Sequence, residues 1–196
     1  MNANVPDPGA LVSAVRRGEA GAHAALIQAW LPIVLSWCNR LCGPKVDPED
    51  AAHDVFLKVL GNLEGVREPD RFAGWIFRVT RSVIRQHRRR AWVQRWVPGM
   101  VPNRADPSHD PLAHAERHET ARRVQRALET LSEAHREVIV LCDLEERTAI
   151  EASELVGVAV GTVKSRLRLA RDSFREAAIR EGLGPVLVDA HERGEL

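Results

Sequence analysis

The sequence lacks the features of several protein classes. It contains no tyrosine and three cysteines among its 196 residues, and no apolar run approaches the ~20 residues that cross a bilayer. A low, odd cysteine count argues against a disulfide scaffold and favours a reducing compartment. The first residues lack the basic start and apolar stretch of a secretory signal. We therefore expect a cytoplasmic protein that does not enter a membrane, and few alternating β-branched runs argue against a β-sandwich.

Lysine is also scarce. Of the 28 basic residues, three are lysine and the other 25 are arginine, and 27 acidic residues leave a net charge of +1. The whole chain therefore carries no strong field that would indicate its partner. Arginine binds phosphates and guanine edges through two parallel hydrogen bonds, which lysine cannot do. Any nucleic-acid contact must come from local arginine-rich surfaces.

Prolines divide the chain into two helical blocks. The segment between the blocks contains Pro98, Pro102, Pro107 and Pro111. This density excludes a continuous helix and indicates a flexible linker. We predict an all-α protein with two small helical domains, residues 1–97 and 117–181, joined by a linker at 98–116 and followed by a tail at 182–196.

Short sequence signals mark several helix boundaries. Asp47 followed by Pro48 is typical of an N-terminal cap, and Ser132 is a candidate for another. Thr148 and Glu151 have the spacing of a capping box. A break at Gly157 separates two short helices, which predicts a helix-turn-helix whose second helix begins near Gly161.

An arginine row follows one strip of a predicted long helix near residues 71–96. Between Arg78 and Arg95 there are seven arginines and no acid. The row itself consists of Arg78, Arg81, Arg85 and Arg88, which are three or four residues apart. Guanidinium groups without counter-charges repel each other, so the row suggests phosphate binding; a solvated helix face is the alternative. Trp92 and Trp96 end the run, and we interpret both as core residues rather than base-stacking groups.

The second helix of the helix-turn-helix has one apolar and one polar face. At about 100° per residue, its inward face consists of Val163, Leu167, Ala170 and Phe174. Ser165 and Arg168 project on the opposite side. Lys164, Arg166 and Arg171 lie on the flanks. A small donor and an arginine between flanking cations suit insertion into a DNA major groove, whereas the alternative is an ordinary amphipathic surface helix.

The residues do not support catalysis. Cys38 and Cys42 are one helical turn apart and could share a metal with His53, but buried free cysteines are common. A metal-dependent nucleic-acid enzyme is therefore a minor alternative. The chain has no glycine-rich phosphate loop and none of the hydrolase or metalloprotease motifs. We expect no catalytic residue, no metal and no cofactor, so we expect that the protein is not an enzyme.

Taken together, these features resemble the extracytoplasmic-function (ECF) group of the sigma-70 family over roughly residues 10–180. DPEDAAHDVFLKVLGNL is similar to the region 2 helix that binds RNA polymerase. RFAGWIFRVTRSVIRQHRRR is similar to the stretch that takes up the promoter −10 element. The string GTVKSRLRLAR, which follows the helix-turn-helix, is similar to region 4, which reads the −35 element.

The resemblance assigns roles to individual residues. Those implied to face polymerase are Asp50, His53, Asp54 and Lys58. Those implied to face −10 DNA are Trp75, Arg78, Arg81, Ser82, Arg85, Arg88 and Arg89. Those implied to face −35 DNA are Thr162, Lys164, Ser165, Arg166, Arg168 and Arg171. His53 and Ser82 stand where the family usually has glutamine and asparagine.

The resemblance also implies a function and partners. A protein of this kind binds core RNA polymerase and directs promoter-specific initiation of transcription. Its expected partners are core RNA polymerase, promoter DNA and an anti-sigma factor. The alternative is a standalone helix-turn-helix regulator, which would bind duplex DNA tightly without polymerase, as a dimer on a palindrome.

Overall fold

The computed structural model describes residues 7–63, 66, 68–94 and 111–183, and no β-strand occurs in these ranges. The helices found there are α1 (Pro8–Arg16), α2 (Ala22–Leu41), α3 (Pro48–Gly61), α4 (Phe72–Gln94), α5 (Pro111–Glu129), α6 (Glu133–Ile139), α7 (Ala149–Val156) and α8 (Val160–Arg180). A 3-10 turn precedes α4 at Pro69–Arg71, and a π-helical turn follows α6 at Val140–Leu144. The all-α prediction is confirmed.

The predicted helix caps form as expected. The Asp47 carboxylate accepts hydrogen bonds from the backbone N–H groups of Glu49 and Asp50, and Ser132 accepts one from His135. Thr148 and Glu151 form the complete capping box at the start of α7. These side chains satisfy N–H groups that have no partner inside the helix. The sequence analysis missed α1, which begins with a cap from Asp7.

The N-terminal half, α1–α4, packs around an aromatic cluster. Trp37 and Phe77 are fully buried and meet edge to face, with ring centroids 4.9 Å apart. Trp30 and Phe72 meet in the same way at 5.2 Å. Edge-to-face pairs add to the stability that burial of apolar area supplies. This cluster fixes α2 against α4, the helix that carries the arginine row.

The C-terminal half, α5–α8, is held together at the α5–α6 turn by a buried arginine. Arg136 is 6% exposed, and its guanidinium donates hydrogen bonds to the backbone carbonyls of Leu128, Glu129 and Leu131. Burial, with the nearby charge of Arg88, lowers the pKa of Arg136 to about 10. The carbonyls compensate part of the cost of burying this charge.

Two details of the predicted organisation differ from the structure. Because α5 begins at Pro111, residues 111–116 of the expected linker are helical; proline is favoured at a first helical position, where it removes no needed donor. The remaining linker residues, 98–110, and the tail from 184 onward lie outside the described residues. The core interpretation of Trp92 is wrong, since this side chain is 62% exposed, and Trp96 lies outside the described residues.

The two halves pack directly against each other. Their buried side chains form one continuous apolar cluster, in which α7 lies against α4 and the π turn against α2. At Gly74 of α4 a Cβ atom would lie 2.8 Å from the carbonyl oxygen of Glu154 in α7, so glycine permits the close approach. None of the helices in the described part of the chain is long and apolar enough to cross a membrane.

Candidate nucleic-acid interface

The helix-turn-helix formed by α7 and α8 is built as the sequence predicts. Gly157 ends α7 in a left-handed conformation (φ 79°), which glycine adopts without steric cost. Val163 and Ala170 of α8 are fully buried, and Leu167 and Phe174 pack partly buried against the core. The predicted inward face of α8 is confirmed.

The N-terminal part of α8 presents the predicted contact residues to solvent. Lys164, Ser165 and Arg168 are exposed, while Thr162 and Arg166 are half-buried on the flanks. Among the described residues, no acid pairs with Lys164 or Arg168. This end of the helix therefore offers cationic and hydroxyl donors that are ready for a polyanionic ligand.

Arg171 is engaged inside the protein. Its Nη2 and Nε donate to the two carboxylate oxygens of Asp143, at 2.7 and 3.2 Å, and the Asp143 side chain is 2% exposed. The hydrogen bond to Asp143 raises the pKa of Arg171 above its ordinary value. This bidentate pair connects α8 to the π turn and so fixes the orientation of α8. The position of Arg171 on the flank of the helix did not indicate this role.

The arginine row on α4 meets acids from the C-terminal half. Arg81 Nε lies 2.5 Å from Glu137 Oε1, Arg85 Nη2 lies 3.0 Å from Glu133 Oε1, and Arg88 Nη2 lies 4.0 Å from Glu129 Oε1. We call Glu129, Glu133 and Glu137 the acidic row. The acids are four residues apart and the paired arginines are four and three residues apart, and the two rows pair in opposite chain order. The expectation that the arginine row has no counter-charges is thus wrong for three of its four members.

Glu137 occupies the most buried position in the acidic row. Its side chain is 2% exposed, and its Oε2 accepts no hydrogen bond from the part of the chain that is described. Burial raises the pKa of Glu137 to about 7, even though the charge of Arg81 acts in the opposite direction. Desolvation therefore exceeds the attraction of the ion pair.

A cleft between α3 and α4 gathers the other residues expected to face −10 DNA. It has a volume of about 420 Å³ and is lined by Lys58, Asn62, Trp75, Arg78, Val79 and Ser82. Arg78 and Arg89 are exposed, and neither forms an ion pair within the described ranges. The structure thus brings Trp75, Arg78 and Ser82 together beside Lys58, which the sequence analysis placed on a different surface.

We call the solvent-exposed side of α3 its outer face; it carries the residues expected to face polymerase, two of which also reach side chains of α4. Asp50 and His53 are exposed, and Asp54 Oδ2 lies 2.8 Å from His87 Nε2 on α4. Lys58 Nζ donates to Gln86 Oε1 at 3.0 Å. Leu57, which is 58% exposed, lies on the same face. The sequence analysis missed Leu57, although an apolar residue outside the buried stripe of α3 was a readable signal.

The cysteines do not form the alternative metal site. Cys38 and Cys42 are buried in the core, whereas His53 is exposed on α3. A hydrogen bond to Cys42 and burial raise the pKa of the Cys38 thiol far above its ordinary value. No cluster of three or more metal-ligating side chains occurs among the residues that the structure describes.

Comparison with known proteins identifies the family to which the chain belongs. The family described as Sigma-70 region 2 matches residues 26–94, and Sigma-70, region 4 matches residues 121–174. The chain is 31% identical over 176 residues to the ECF RNA polymerase sigma factor RpoE of Cereibacter sphaeroides, covering 85% of this chain and 92% of that protein. The chain belongs to the ECF sigma factors.

Two further relatives extend this comparison. The sigma factor is 30% identical over 146 residues to SigE of Mycolicibacterium smegmatis, which covers 70% of this chain and spans 54% of SigE. The solved structure of CnrH in complex with the cytosolic domain of CnrY superposes with a TM-score of 0.65 at 25% identity. The superposition covers 89% of this chain and 98% of CnrH.

Membership in this family establishes the general function. The sigma factor acts with RNA polymerase in promoter-directed initiation of transcription, and not as a standalone regulator. Sigma factors are non-enzymatic initiation factors.

Proposed function

We propose that the sigma factor contacts a promoter at two separate surfaces and polymerase at a third. Residues 1–97 act as region 2, residues 117–181 as region 4, residues 98–116 as the linker and residues 182–196 as a tail. The observation that carries the proposal is the N-terminal part of α8, where Lys164, Ser165 and Arg168 are exposed on a helix held by the capped α7 and the Gly157 turn.

The −35 contact is made by α8 in the major groove. Ser165 and Arg168 point away from the buried face and reach base edges, and an arginine reads guanine bidentately. Thr162, Lys164 and Arg166 lie beside them and hold phosphates, which sets the register of the helix on the duplex. Arg171 supports this surface through Asp143 instead of contacting DNA freely.

The −10 contact is made by α4 together with the cleft beside α3. Trp75, Arg78 and Ser82 line that cleft, where an aromatic ring, a cation and a hydroxyl can hold an unpaired base. Arg89 is exposed farther along the same helix. Arg81, Arg85 and Arg88 extend the surface along the backbone of the single strand once their internal acids have moved away.

The polymerase contact is made by the outer face of α3. Asp50, His53, Asp54 and Lys58 surround the exposed Leu57, so an apolar contact is ringed by polar groups. Burial of a central apolar residue within a polar rim is typical of protein–protein interfaces. Because the protein acts together with RNA polymerase, we propose that it functions in the cytoplasm. An anti-sigma factor is the further partner that we propose, in keeping with the complex of CnrH with the cytosolic domain of CnrY.

Transcription with purified core polymerase tests the proposal. We expect the sigma factor to confer defined start sites on fragmented genomic DNA, and a gel shift to show specific promoter binding only when core polymerase is present. Tight specific binding by the protein alone, without start-site selection by polymerase, would contradict it.

The polymerase face has its own test. Asp54→Arg places a cation on the outer face of α3, and we expect weaker binding of core polymerase with an unchanged circular dichroism spectrum. Glu19→Arg makes the same charge change at an exposed site after α1 and is the matched control. Equal polymerase affinity for both variants would show that α3 is not the docking face.

A further inference from the structure

We propose that the free sigma factor is self-inhibited, because the acidic row of its C-terminal half takes the places of DNA phosphates on the arginine row of α4. This inference rests on the proposed −10 role of α4. It adds a regulatory contact that is made entirely within this chain.

Three members of the arginine row face the members of the acidic row one by one. Glu133 Oε1 accepts from both Nε and Nη2 of Arg85, at 3.3 and 3.0 Å, as a phosphate oxygen would. Glu137 and Glu129 face the arginines on either side. A cleft of about 270 Å³ runs between the rows and is lined by members of both. A strand of DNA and the acidic row therefore cannot occupy α4 together.

A second contact, which we call the latch, holds the halves together at a distance from the arginine row. Glu145, which follows the π turn, has a side chain that is 10% exposed. It accepts hydrogen bonds from Ser36 (3.0 Å), Trp37 Nε1 (3.0 Å) and Arg40 Nη1 (2.9 Å), all on α2. A nearly buried carboxylate with three donors is strongly held in this position. The latch fixes the C-terminal half where its acidic row covers α4.

Helix α4 also lies in close contact with α7. Gly74 allows the α7 backbone to approach α4, since a Cβ atom there would lie 2.8 Å from the carbonyl oxygen of Glu154. Arg81 Nη1 also donates to the carbonyl oxygen of Val156 at 3.4 Å. This contact lies next to Trp75, so the packing of α7 restricts the approach of DNA to that end of the −10 surface.

The energies of these contacts are compatible with a reversible switch. Exposed ion pairs such as Arg85–Glu133 stabilise by less than about 1 kcal/mol each, so the acidic row competes with DNA more than it stabilises the fold. The continuous apolar cluster and the hydrogen bonds to Glu145 also join the two halves. A closed population lowers the apparent affinity for DNA in proportion to the open fraction that remains.

Three variants of the full-length chain open the packing by different means. Glu145→Gln weakens the latch, Gly74→Ala obstructs the contact of α4 with α7, and Glu133→Arg repels Arg85. The first two leave both rows intact. Binding to a fluorescent 20-nucleotide oligo(dT) is measured at fixed low salt, and small-angle scattering gives the radius of gyration. Glu19→Arg controls for the added positive charge of Glu133→Arg.

We expect the opening variants to bind oligo(dT) about tenfold more tightly than the wild type and to have a larger radius of gyration. The gain should disappear when Arg85→Ala and Arg88→Ala are added to Glu145→Gln. If none of the three variants binds more tightly, self-inhibition is overturned. If they bind more tightly but removal of the arginines has no effect, the proposed −10 role of α4 fails instead.

Discussion

The two arginine-bearing helices of this sigma factor present their charges in different ways. On α8, Lys164 and Arg168 face solvent without an acidic partner in the described ranges. On α4, Arg81 and Arg85 are paired with acids that come from the other half of the chain. Two helices with similar basic sequences therefore differ in whether their charges are available.

This difference shows that tertiary packing decides whether acidic side chains neutralise a row of basic residues. Arg81 and Glu137 are 56 residues apart, so no local window of the sequence contains both. The arginine row has no acid nearby along its helix, and the acidic row is interrupted by the α5–α6 turn. Only the packing of the halves brings the rows together. The predictions below test the difference, beginning with the largest expected effect.

Glu137 should make the stability of the packed protein depend on pH. Its pKa is raised to about 7 by burial, from an ordinary value of 4.5, while Arg81, Arg85 and Glu133 face it. The contribution of the protonated carboxyl is complete below about pH 4.5 and is lost as the pH rises through 7. Relative to Glu137→Gln, the wild type should lose a few kcal/mol of unfolding free energy between pH 5 and 8.

Urea denaturation at a series of pH values measures this effect. Glu176→Gln on α8, which replaces an exposed acid, is the matched control. A constant difference in unfolding free energy between the wild type and Glu137→Gln from pH 5 to 8 would show that Glu137 is not protonated on burial.

Arg171→Ala should destabilise the C-terminal half. Breaking a buried ion pair costs about 3–5 kcal/mol, and we expect about 3 because Asp143 is buried while Arg171 is partly exposed. The measurement is the free energy of unfolding, with Arg180→Ala at the exposed end of α8 as the control. Unchanged stability with uniformly weaker DNA binding would instead support the −35 DNA contact that the family resemblance implies for Arg171.

Arg168→Ala should weaken −35 recognition by about 1–3 kcal/mol and reduce discrimination between bases at one position. Lys164→Ala should weaken binding evenly for all sequences, since a phosphate contact carries no base information. Both are measured as affinities of the polymerase holoenzyme for a set of −35 variants. Identical profiles for the two variants would show that the orientation of α8 in the groove is wrong.

Thr148→Ala should have the smallest effect, a loss of about 1 kcal/mol of stability, because it removes the capping box of α7. Helix α7 lies between α4 and α8, which carry the proposed −10 and −35 surfaces. Weakening its cap therefore tests how strongly the packed structure depends on α7. Thr120→Ala, an exposed threonine inside α5, is the control in the same urea titration. Equal stability of both variants would show that the cap does not hold α7.

Local signals account for what could be predicted. The caps at Asp47, Ser132 and Thr148, and the left-handed Gly157, act within three or four residues, so the sequence contains all of their determinants. The inward face of α8 follows from helical periodicity, and Val163 and Ala170 are buried as expected. Helix positions and the outward residues of the helix-turn-helix were therefore readable.

Contacts between distant segments account for what was missed. The pairs Arg171–Asp143 and Arg81–Glu137 depend on how the π turn and α6 pack, which no spacing rule specifies. Gly74 gave no signal either, because the need for a small residue comes from the carbonyl of Glu154 in another helix. Trp92 was misassigned for a similar reason, since the exposure of a side chain at the end of α4 depends on packing between distant segments, and Trp92 is 62% exposed.

The pairing of the arginine row also changes the number of ions that are released when DNA binds. A bare guanidinium that meets a phosphate releases a condensed cation from the DNA, which makes binding weaker as salt increases. Arg81, Arg85 and Arg88 instead exchange one set of anions for another, and the displaced carboxylates then attract cations from solution. Fewer ions are released overall, so the intact protein should hold single strands with a gentler dependence on ionic strength than its arginine count suggests.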